Sequence, residues 1–253
     1  MSVGRLLLVP NTLDLGAPAV DIQQLLPLGV LQCAAGLGHW LAEDARSTRA
    51  FLKRVHAVVP LARPLQAIDI RELPRPPKGQ PGAAPDRRVL DELLAPARQG
   101  QDVGLISEAG LPAVADPGAA VVAAAHALGV PVVPLPGASS LLLALAASGL
   151  NGQSFAFVGY LPQQPAQRLA RLKELQALSR RSAQTQLLIE TPYRNAAMLA
   201  ALLDGLSDDT RLSVSCGLSL PEGWTRTDRV DAWRKRPLQM PDRVPAVFAF
   251  LAG

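Results

Sequence analysis

The sequence predicts an α/β fold built from two domains. The clearest signal lies in residues 102–148, where two short apolar runs each lead into a loop of Gly and Pro and then into an apolar, alanine-rich segment. Such runs suit strands buried on both faces of a parallel sheet, and the segments after the loops are good helix formers. Hydrophobic residues make up 49% of the chain, which is enough for substantial cores and argues against disorder. We therefore expect two α/β/α domains, residues 1–150 and 151–253, divided at a Gly-Leu-Asn-Gly turn.

The elements of the first domain are predicted from apolar periodicity, with Gly and Pro as breakers. In chain order they are a strand at 5–9, a helix at 19–26, a strand at 30–35, an amphipathic helix at 39–56, a strand at 65–70, a surface loop at 74–86, a helix at 87–98, a strand at 103–106, a helix at 119–128, a strand at 130–135 and a helix from Ser139 or Ser140 to about 147. The loop at 74–86 is either a lid over a substrate or a plain linker. Gly36-Leu37-Gly38 is a partial GxG, a weak phosphate-loop signal because no third glycine follows at the required spacing.

The second domain alternates strands and helices in the same way. The predicted strands are 155–158, 186–190, 212–216, 225–228 and 246–251, and the predicted helices are 165–179, 195–203 and 231–236. The strand at 225–228 is expected at an edge of its sheet.

Two loops of the first domain carry the functional signal. Residues 107–118 and 136–138 are rich in Gly and Pro, and each follows a predicted strand and precedes a predicted helix. Asp116 is expected to cap the helix after the first loop, with Pro117 at its first position. In open α/β sheets, ligands bind beyond the carboxyl ends of the strands, and loops with little side-chain bulk let a ligand lie against the backbone. The loops are either tight turns or a ligand site, and their pairing favours the ligand site.

Several kinds of chemistry lack their motifs. The sequence has no P-loop, no HExxH, no paired CxxC, no GxSxG and no complete GxGxxG, and with three histidines a protein-held catalytic zinc is not expected. Cys33 and Cys216 have no CxxC spacing and no signal peptide precedes them, so we expect reduced thiols in a cytoplasmic protein. No apolar run is long enough to span a membrane. The net charge of +4 permits an anionic partner such as RNA without requiring one.

Three segments of the chain resemble a known family. They are LISEAGLPAVADPG, VVPLPGASSLLLALAASGL and FAFVGYLP, and the likeness continues through AEDARSTR upstream and ETPYR downstream. In this order they resemble the tetrapyrrole (corrin/porphyrin) methylase superfamily, and they are most similar to its branch of 2'-O-ribose methyltransferases of ribosomal small-subunit RNA. The likeness covers nearly the whole chain.

The resemblance implies a homodimer of two-domain subunits that bind S-adenosyl-L-methionine in a cleft between the domains. The residues that it implies for the cofactor are Pro10, Gly110, Leu111, Pro112, Ala113, Val114, Ser139, Ser140, Cys216 and Pro245. Those that it implies for the substrate are Glu43, Asp44, Arg46, Arg49, Tyr193 and Arg194. It identifies no catalytic residue and no metal. Because the sulfonium of the cofactor is already an activated electrophile, methyl transfer is compatible with a chain that carries no metal site or catalytic triad.

The chain departs from the family pattern mainly on the substrate side. It reads PNTLDLG where the family has P-T-P-I-G-N-L, SEAGLP where the family has S-D-A-G-T-P, and CGLSL in place of an Arg-Glu-Leu-Thr-Lys pattern. It ends at Gly253, before the extra C-terminal segment of longer members. Three hypotheses stay open: a ribosomal RNA methyltransferase, a methyltransferase for a small tetrapyrrole-like molecule, and a non-catalytic protein that binds the cofactor.

Overall fold

The computed structural model describes residues 2–14, 20–74, 85–236 and 238–253. The chain forms two compact units, Met1–Ser139 and Ser140–Gly253, and each contains its own five-stranded sheet. The units divide earlier than the predicted domain boundary after residue 150, because the helix at Ser140–Ser148 buries its apolar face against the second sheet. The domain boundary itself stays a prediction.

The first sheet is parallel throughout. Its strands are β1 (Leu6–Leu8), β2 (His39–Ala42), β3 (Asp69–Glu72), β4 (Val103–Ile106) and β5 (Val132–Pro134), in the order β3-β2-β4-β1-β5. The central strand β4 is buried along its whole length, which accounts for its uninterrupted apolar sequence.

The helices of the first unit cover the two faces of this sheet. They are α1 (Ile22–Leu25), α2 (Leu28–Gly36), α3 (Ala45–His56), α4 (Arg87–Leu93), α5 (Ala95–Arg98) and α6 (Ala119–Ala127). One hydrophobic cluster joins α2 and α3 to the sheet, and another joins α4, α5 and α6 to it. Two separate cores on one parallel sheet are what an α/β/α arrangement requires.

One predicted element of the first unit is wrong in type, and two others are right only in part. The predicted strand at 30–35 is helix α2, because a short apolar run suits a buried helix as well as a strand. The predicted helix at 39–56 is strand β2 followed by helix α3, which begins where the Asp44 carboxylate accepts a hydrogen bond from the Ser47 N–H at 2.7 Å. The predicted strand at 65–70 contains a 3-10 turn, Leu65–Ala67, before β3.

The second unit has a mixed sheet. Its strands are β6 (Phe155–Phe157), β7 (Thr185–Ile189), β8 (Arg211–Cys216), β9 (Trp224–Arg229) and β10 (Ala246–Leu251), in the order β6-β7-β10-β8-β9. Only β6 and β7 pair in parallel. Its helices are α7 (Ser140–Ser148), α8 (Pro165–Ser182), α9 (Asn195–Gly205) and α10 (Val230–Lys235). All of the elements predicted after residue 151 are confirmed in type, including β9 at a sheet edge.

Within the described ranges, no helix is long and apolar enough to cross a membrane. Most of the predicted lid or linker at 74–86 lies outside the described residues.

Candidate functional site

The carboxyl edge of the first sheet gathers the loops that the sequence analysis selected. Because β1, β2, β4 and β5 are parallel, the segments that follow them leave the sheet at the same edge. These segments begin at Val9, Glu43, Ser107 and Leu135. The two Gly/Pro loops follow β4 and β5, which are the two neighbours of β1 in the sheet.

The Gly/Pro loops lie close to each other and to the end of β1. A Cβ atom on Gly137 would be 2.3 Å from Cβ of Pro10, so only glycine allows this approach. Gly110 has a φ of +66°, and a Cβ there would lie 3.7 Å from the carbonyl oxygen of Ala138. The two Gly/Pro loops at 107–118 and 136–138 are therefore neighbours at this edge of the sheet.

Asn11 joins the first of these segments to the loop after β4. Its side-chain amide donates to the carbonyl oxygens of Ser107 at 2.9 Å and Glu108 at 3.0 Å, and its side-chain oxygen accepts from the Thr12 N–H at 2.8 Å. The backbone adds a hydrogen bond from the Asn11 N–H to the Gly110 carbonyl at 2.8 Å. Asn11 is buried and was not predicted as a site residue, although its place three residues after the end of β1 marks it as a loop residue at the carboxyl edge.

Carboxylates line the same edge. The Glu43 side chain accepts a hydrogen bond from the Glu108 N–H at 3.0 Å, which joins the end of β2 to the loop after β4. Asp116 lies close enough to Ser107, Glu43 and Glu108 for all three to influence it. Burial, followed by repulsion from Glu43, raises the pKa of Asp116 to about 6, and a hydrogen bond with Ser107 offsets part of that rise.

The prediction that Asp116 caps α6 is wrong. Gly118 holds the cap position with a φ of +135°, and the helix begins at Ala119. A left-handed backbone at that position suits glycine. The Asp116 carboxylate therefore does not cap the helix and can interact with other groups at the carboxyl edge of the sheet. The sequence did not predict this role, because Asp-Pro is typical of a helix start.

The loop between Gly110 and Gly118 has an irregular backbone. Ala113 and Ala115 have φ values of 67° and 65°, a region that costs a non-glycine residue roughly 1–2 kcal/mol. Pro112 is buried, Leu111 and Ala113 are partly buried, and Val114 is 44% exposed. Strain of this kind is found where a loop presents its backbone to a ligand, so the predicted cofactor residues lie on a suitable segment.

Ser139 and Ser140 occupy the junction between the two units. Ser139 is buried at the end of the loop after β5, and Ser140 is the first residue of α7. Their assignment to the cofactor stays a prediction.

The predicted substrate residues of the first unit lie at the start of α3. Arg46 and Arg49 are exposed, and the Arg49 guanidinium donates to the Ala45 carbonyl at 3.3 Å. Asp44 is the N-cap of the helix, and Glu43 holds the loop after β4. The structure thus brings Glu43 to the loop site and gives Asp44 a structural role.

The predicted residues of the second unit are described within that unit. Cys216 ends β8, and its thiol is 1% exposed in the hydrophobic core, where burial raises its pKa. The carbonyl of Pro245 accepts from the Gly217 N–H at 2.9 Å. The backbone of Cys216 pairs with Ala246 and Trp224 in the sheet. The assignment of Cys216 and Pro245 to the cofactor stays a prediction.

Tyr193 and Arg194 follow β7. Tyr193 is 72% exposed, whereas Arg194 is held in an ion pair with the buried Glu190 at 2.9 Å. Glu190 also accepts hydrogen bonds from the N–H and hydroxyl of Thr191. The arginine is therefore fixed in position next to an aromatic ring that is open to a partner.

No group of three or more His, Cys, Asp or Glu side chains is placed to hold a metal ion within the parts of the chain that the structure describes. At the loop after β4, the carboxylates Glu43, Glu108 and Asp116 lie among backbone N–H groups. Such a surface can recognise hydroxyl, amino and ammonium groups, and it can accept protons.

A parallel sheet with glycine-dependent loops at its carboxyl edge defines a ligand-binding α/β protein. Comparison with known families makes the assignment specific, since the profile described as Tetrapyrrole (Corrin/Porphyrin) Methylases matches residues 42–227. The chain belongs to that family.

Solved structures agree with this assignment at the level of the fold. The chain is similar to the methyltransferase CobJ, with a TM-score of 0.58 and 15% identity over 99% of this chain and 100% of that one. It is also similar to uroporphyrin-III-C-methyltransferase from Thermus thermophilus, with a TM-score of 0.52 and 20% identity over 98% of this chain and 92% of that one.

Relatives named Ribosomal RNA small subunit methyltransferase I match part of the chain. The protein from Mesorhizobium japonicum is 42% identical over 123 residues, which are 49% of this chain and 40% of that protein. The protein from Pseudomonas aeruginosa is 41% identical over 134 residues, which are 53% of this chain and 46% of that protein. The matched region spans less than half the length of each of these relatives.

Proposed function

We propose that this protein is an S-adenosyl-L-methionine-dependent methyltransferase that methylates a ribose 2'-hydroxyl of ribosomal small-subunit RNA. The observation that carries the proposal is the approach of the two Gly/Pro loops at the carboxyl edge of the first sheet, with Gly137 against Pro10 and Gly110 beside Ala138. The names of the relatives that are about 40% identical support the RNA substrate.

The cofactor would be held mainly by the backbone of these loops. Within residues 110–114, Leu111 and Ala113 are partly buried, Val114 is exposed and the backbone is irregular. The glycines at 110 and 137 place no Cβ atom where the loops approach each other. Support for this cofactor also comes from a solved uroporphyrin-III C-methyltransferase of the same fold that was crystallised with S-adenosylhomocysteine. The cofactor supplies a methyl group on a sulfonium, so the protein has to align a nucleophile with it.

A ribose hydroxyl attacks more readily when its proton is taken up during the reaction. Asp116 suits this task, since a carboxylate whose pKa is raised to about 6 is ionised at neutral pH and is a stronger base than an ordinary aspartate. We propose Asp116 as the proton acceptor. In the first unit, the exposed Arg46 and Arg49 offer cations for an RNA strand, and in the second unit the exposed ring of Tyr193 offers a surface on which a base can stack.

Calorimetry with S-adenosylhomocysteine tests the cofactor site. Gly110→Val places a branched side chain where Leu13 and Ala138 limit the space, in a backbone conformation that valine disfavours. We expect the affinity of the Gly110→Val variant for S-adenosylhomocysteine to fall by about 100-fold or more, because the valine side chain would block the backbone surface of the loop. Gly129→Val is the matched control: Gly129 has a similar φ of +69° with nothing within 4 Å of a Cβ, and it lies before β5, at the other edge of the sheet. Equal affinities for both variants would remove Gly110 from the site.

Transfer of labelled methyl groups separates the three candidate functions. Label in small-subunit RNA that survives alkaline hydrolysis as a dinucleotide would support 2'-O-methylation, because that hydrolysis requires a free 2'-hydroxyl. RNA binding should weaken steeply with added salt. Label in a porphyrinoid would favour a methyltransferase for a small tetrapyrrole-like molecule, a candidate that the family description and the structural neighbours support. Binding of the cofactor without transfer to any fraction would indicate a non-catalytic protein.

A homodimer and a cytoplasmic location belong to the same proposal and follow from the resemblance. Light scattering in solution checks the first. A monomeric mass at concentrations at which the protein is active would contradict it.

A further inference from the structure

A cavity opens at the amino edge of the first sheet, away from the proposed cofactor loops. It has a volume of about 530 Å³ and lies between the last turn of α3 and the segment that leads into β3. Because β2 and β3 begin at this edge, the cavity and the Gly/Pro loops lie beyond opposite ends of the strands. Its principal lining side chains are Lys53, His56, Leu61, Arg63, Pro64 and Leu65.

Three nitrogen-bearing side chains face this cavity with donors to spare. Among the described residues, Lys53 and Arg63 have no carboxylate within ion-pair distance. The Leu61 N–H donates to Nδ1 of His56 at 3.2 Å, so a neutral His56 carries its proton on Nε2, where it can be donated. Asp69, the carboxylate at the start of β3, is paired with Arg71 at 3.0 Å and with His39 at 3.4 Å.

The partial GxG at 36–38 explains the position of Arg63. A Cβ on Gly38 would lie 2.8 Å from Nη1 of Arg63, so the guanidinium rests directly on the glycine backbone. The Ala62 N–H donates to the Ala35 carbonyl at 2.9 Å and fixes the segment beside this turn. Gly38, which belongs to the weak phosphate-loop signal in the sequence, thus leaves room for the Arg63 guanidinium at the cavity.

The remaining lining is apolar. Leu61 and Leu65 pack against the core beneath the cavity, and Pro64 lies between them in the chain. A cavity of this size with an apolar lining and a few placed donors is typical of a site for a small organic anion. A guanidinium also stacks on planar rings, which adds a preference for an aromatic group next to the anion.

A second cavity in the other unit provides a contrast. Its volume is about 430 Å³ and its lining includes Arg180 and Arg229. Arg180 is paired with Asp209 at 3.4 Å, and Arg229 with Asp231 at 3.1 Å. The third arginine of its lining, Arg211, donates to the Gly149 carbonyl at 3.4 Å, and the carboxylate Asp209 also lines this cavity, whereas among the described residues no carboxylate lines the cavity at the amino edge. The two cavities therefore differ in charge, because cations that are paired with carboxylates bind an added anion weakly.

We propose that the cavity at the amino edge binds a phosphorylated nucleoside, with the phosphate at Lys53, His56 and Arg63 and the base against the apolar lining. The ligand is either a free mononucleotide or one nucleotide of an RNA strand. The proposal does not depend on methyl transfer, since it uses none of the residues assigned to that reaction.

Calorimetry with adenosine monophosphate tests the site on the full chain. We expect binding with a Kd of about 1 mM or tighter, and at least about tenfold weaker binding of inorganic phosphate and of adenosine. Lys53→Gln with Arg63→Gln should weaken the binding of the nucleotide by about tenfold or more, because both replace a cation with a neutral amide. Arg180→Gln, at the cavity with paired cations, should leave it unchanged.

A second variant and a second ligand complete the test. Gly38→Ala displaces the guanidinium of Arg63 without removing a charge, and it should weaken nucleotide binding as well. A single-stranded RNA oligonucleotide that competes with the mononucleotide, and that loses affinity in the double variant, would identify RNA as the source of the nucleotide. An oligonucleotide that does not compete with the mononucleotide would identify the free nucleotide as the ligand.

The proposal is overturned if inorganic phosphate binds as well as the nucleotide, or if the double variant, folded by circular dichroism, binds the nucleotide as the wild type does. The affinity for S-adenosylhomocysteine should be unchanged in every variant of this cavity. Failure of the nucleotide site therefore remains distinguishable from failure of the proposed methyltransferase.

Discussion

Two aspartates at opposite edges of the first sheet have pKa values that shift in opposite directions. At the carboxyl edge, burial and repulsion from Glu43 raise the pKa of Asp116 to about 6. At the amino edge, Asp102 precedes β4 and accepts hydrogen bonds from both the backbone and the guanidinium of Arg5, which lowers its pKa. The same residue type on either side of the loop-bearing strand β4 thus has two electrostatic environments.

The contrast shows where the fold leaves charge uncompensated. Asp102 is matched by Arg5 and stabilises the amino ends of β1 and β4. Asp116 has carboxylates as neighbours, although each carboxylate disfavours the ionisation of the others. Edges that bear function keep such unfavourable groups, because the group that compensates them arrives with the ligand.

The largest expected effect comes from Gly137→Ala at the carboxyl edge. The added Cβ would meet Cβ and Cγ of Pro10 at 2.3 and 2.5 Å, and a proline ring attached to the end of β1 cannot turn away. We expect a loss of about 3 kcal/mol in the free energy of unfolding, which is typical of overpacking in a rigid site. Urea denaturation of Gly137→Ala and the wild type measures this loss, and Gly36→Ala serves as the control variant.

Gly36 ends α2 near the other edge and has nothing within 4 Å of a Cβ, so its replacement should be neutral or slightly stabilising. Equal stabilities for the two variants would show that the Gly137–Pro10 approach is not a constraint. The carboxyl and amino edges would then not differ in steric constraint.

Asn11→Ala is expected to have the next largest effect. It leaves the carbonyls of Ser107 and Glu108 and the N–H of Thr12 without their partner in a buried loop, which costs about 2 kcal/mol. Asn151 provides a matched control in the second unit, where its side chain makes three similar hydrogen bonds in a more exposed turn. Asn151→Ala should cost less than half as much, as measured by the same denaturation. A larger loss for Asn151→Ala would contradict the importance of the loop site.

Asp116→Asn tests the sign of the raised pKa. The folded pKa of about 6 lies above the ordinary value of 3.8, so the wild type loses stability as the pH rises through this window. The asparagine variant lacks this loss and should be more stable than the wild type above pH 6. The full shift corresponds to roughly 3 kcal/mol, and we expect about 1 kcal/mol because the side chain is only partly buried.

Thermal unfolding from pH 4 to pH 8 checks this prediction, since the difference should vanish towards the acidic end. If Asp116 accepts the proton of the ribose, the same variant should lose methyl transfer by about 100-fold or more while it keeps its affinity for S-adenosylhomocysteine. A stabilised variant with unchanged transfer would retain the electrostatic argument and exclude the catalytic one.

The sequence predicts the loop site better than the elements around it. The strand β4 and both Gly/Pro loops follow from local signals, because Gly110, Pro112 and Gly137 have few conformational alternatives. The helix α2 was predicted as a strand because the periodicity of a short apolar run does not distinguish a buried helix from a buried strand.

The role of Asp116 lay beyond local rules. The dipeptide Asp-Pro is typical of a helix start. Only the three-dimensional structure shows that the Asp116 carboxylate instead interacts with Glu43 after β2 and with Ser107 and Glu108 in the loop after β4. Asn11 is a similar case, since two of its three side-chain hydrogen bonds depend on the approach of a loop about a hundred positions later in the chain.

Asp102→Asn is the last and smallest prediction, and its sign is opposite to that of Asp116→Asn. The pKa of Asp102 is lowered in the folded protein, so its pair with Arg5 stabilises the fold above the ordinary pKa of 3.8 and this contribution is lost as the pH falls through the lowered value. The variant should be slightly less stable than the wild type at neutral pH and equal to it in strong acid. Added salt should reduce the difference, because both side chains are accessible to solvent. If Asp102→Asn and Asp116→Asn shift stability in the same direction between pH 4 and pH 8, the two edges do not differ in the way that their neighbours indicate.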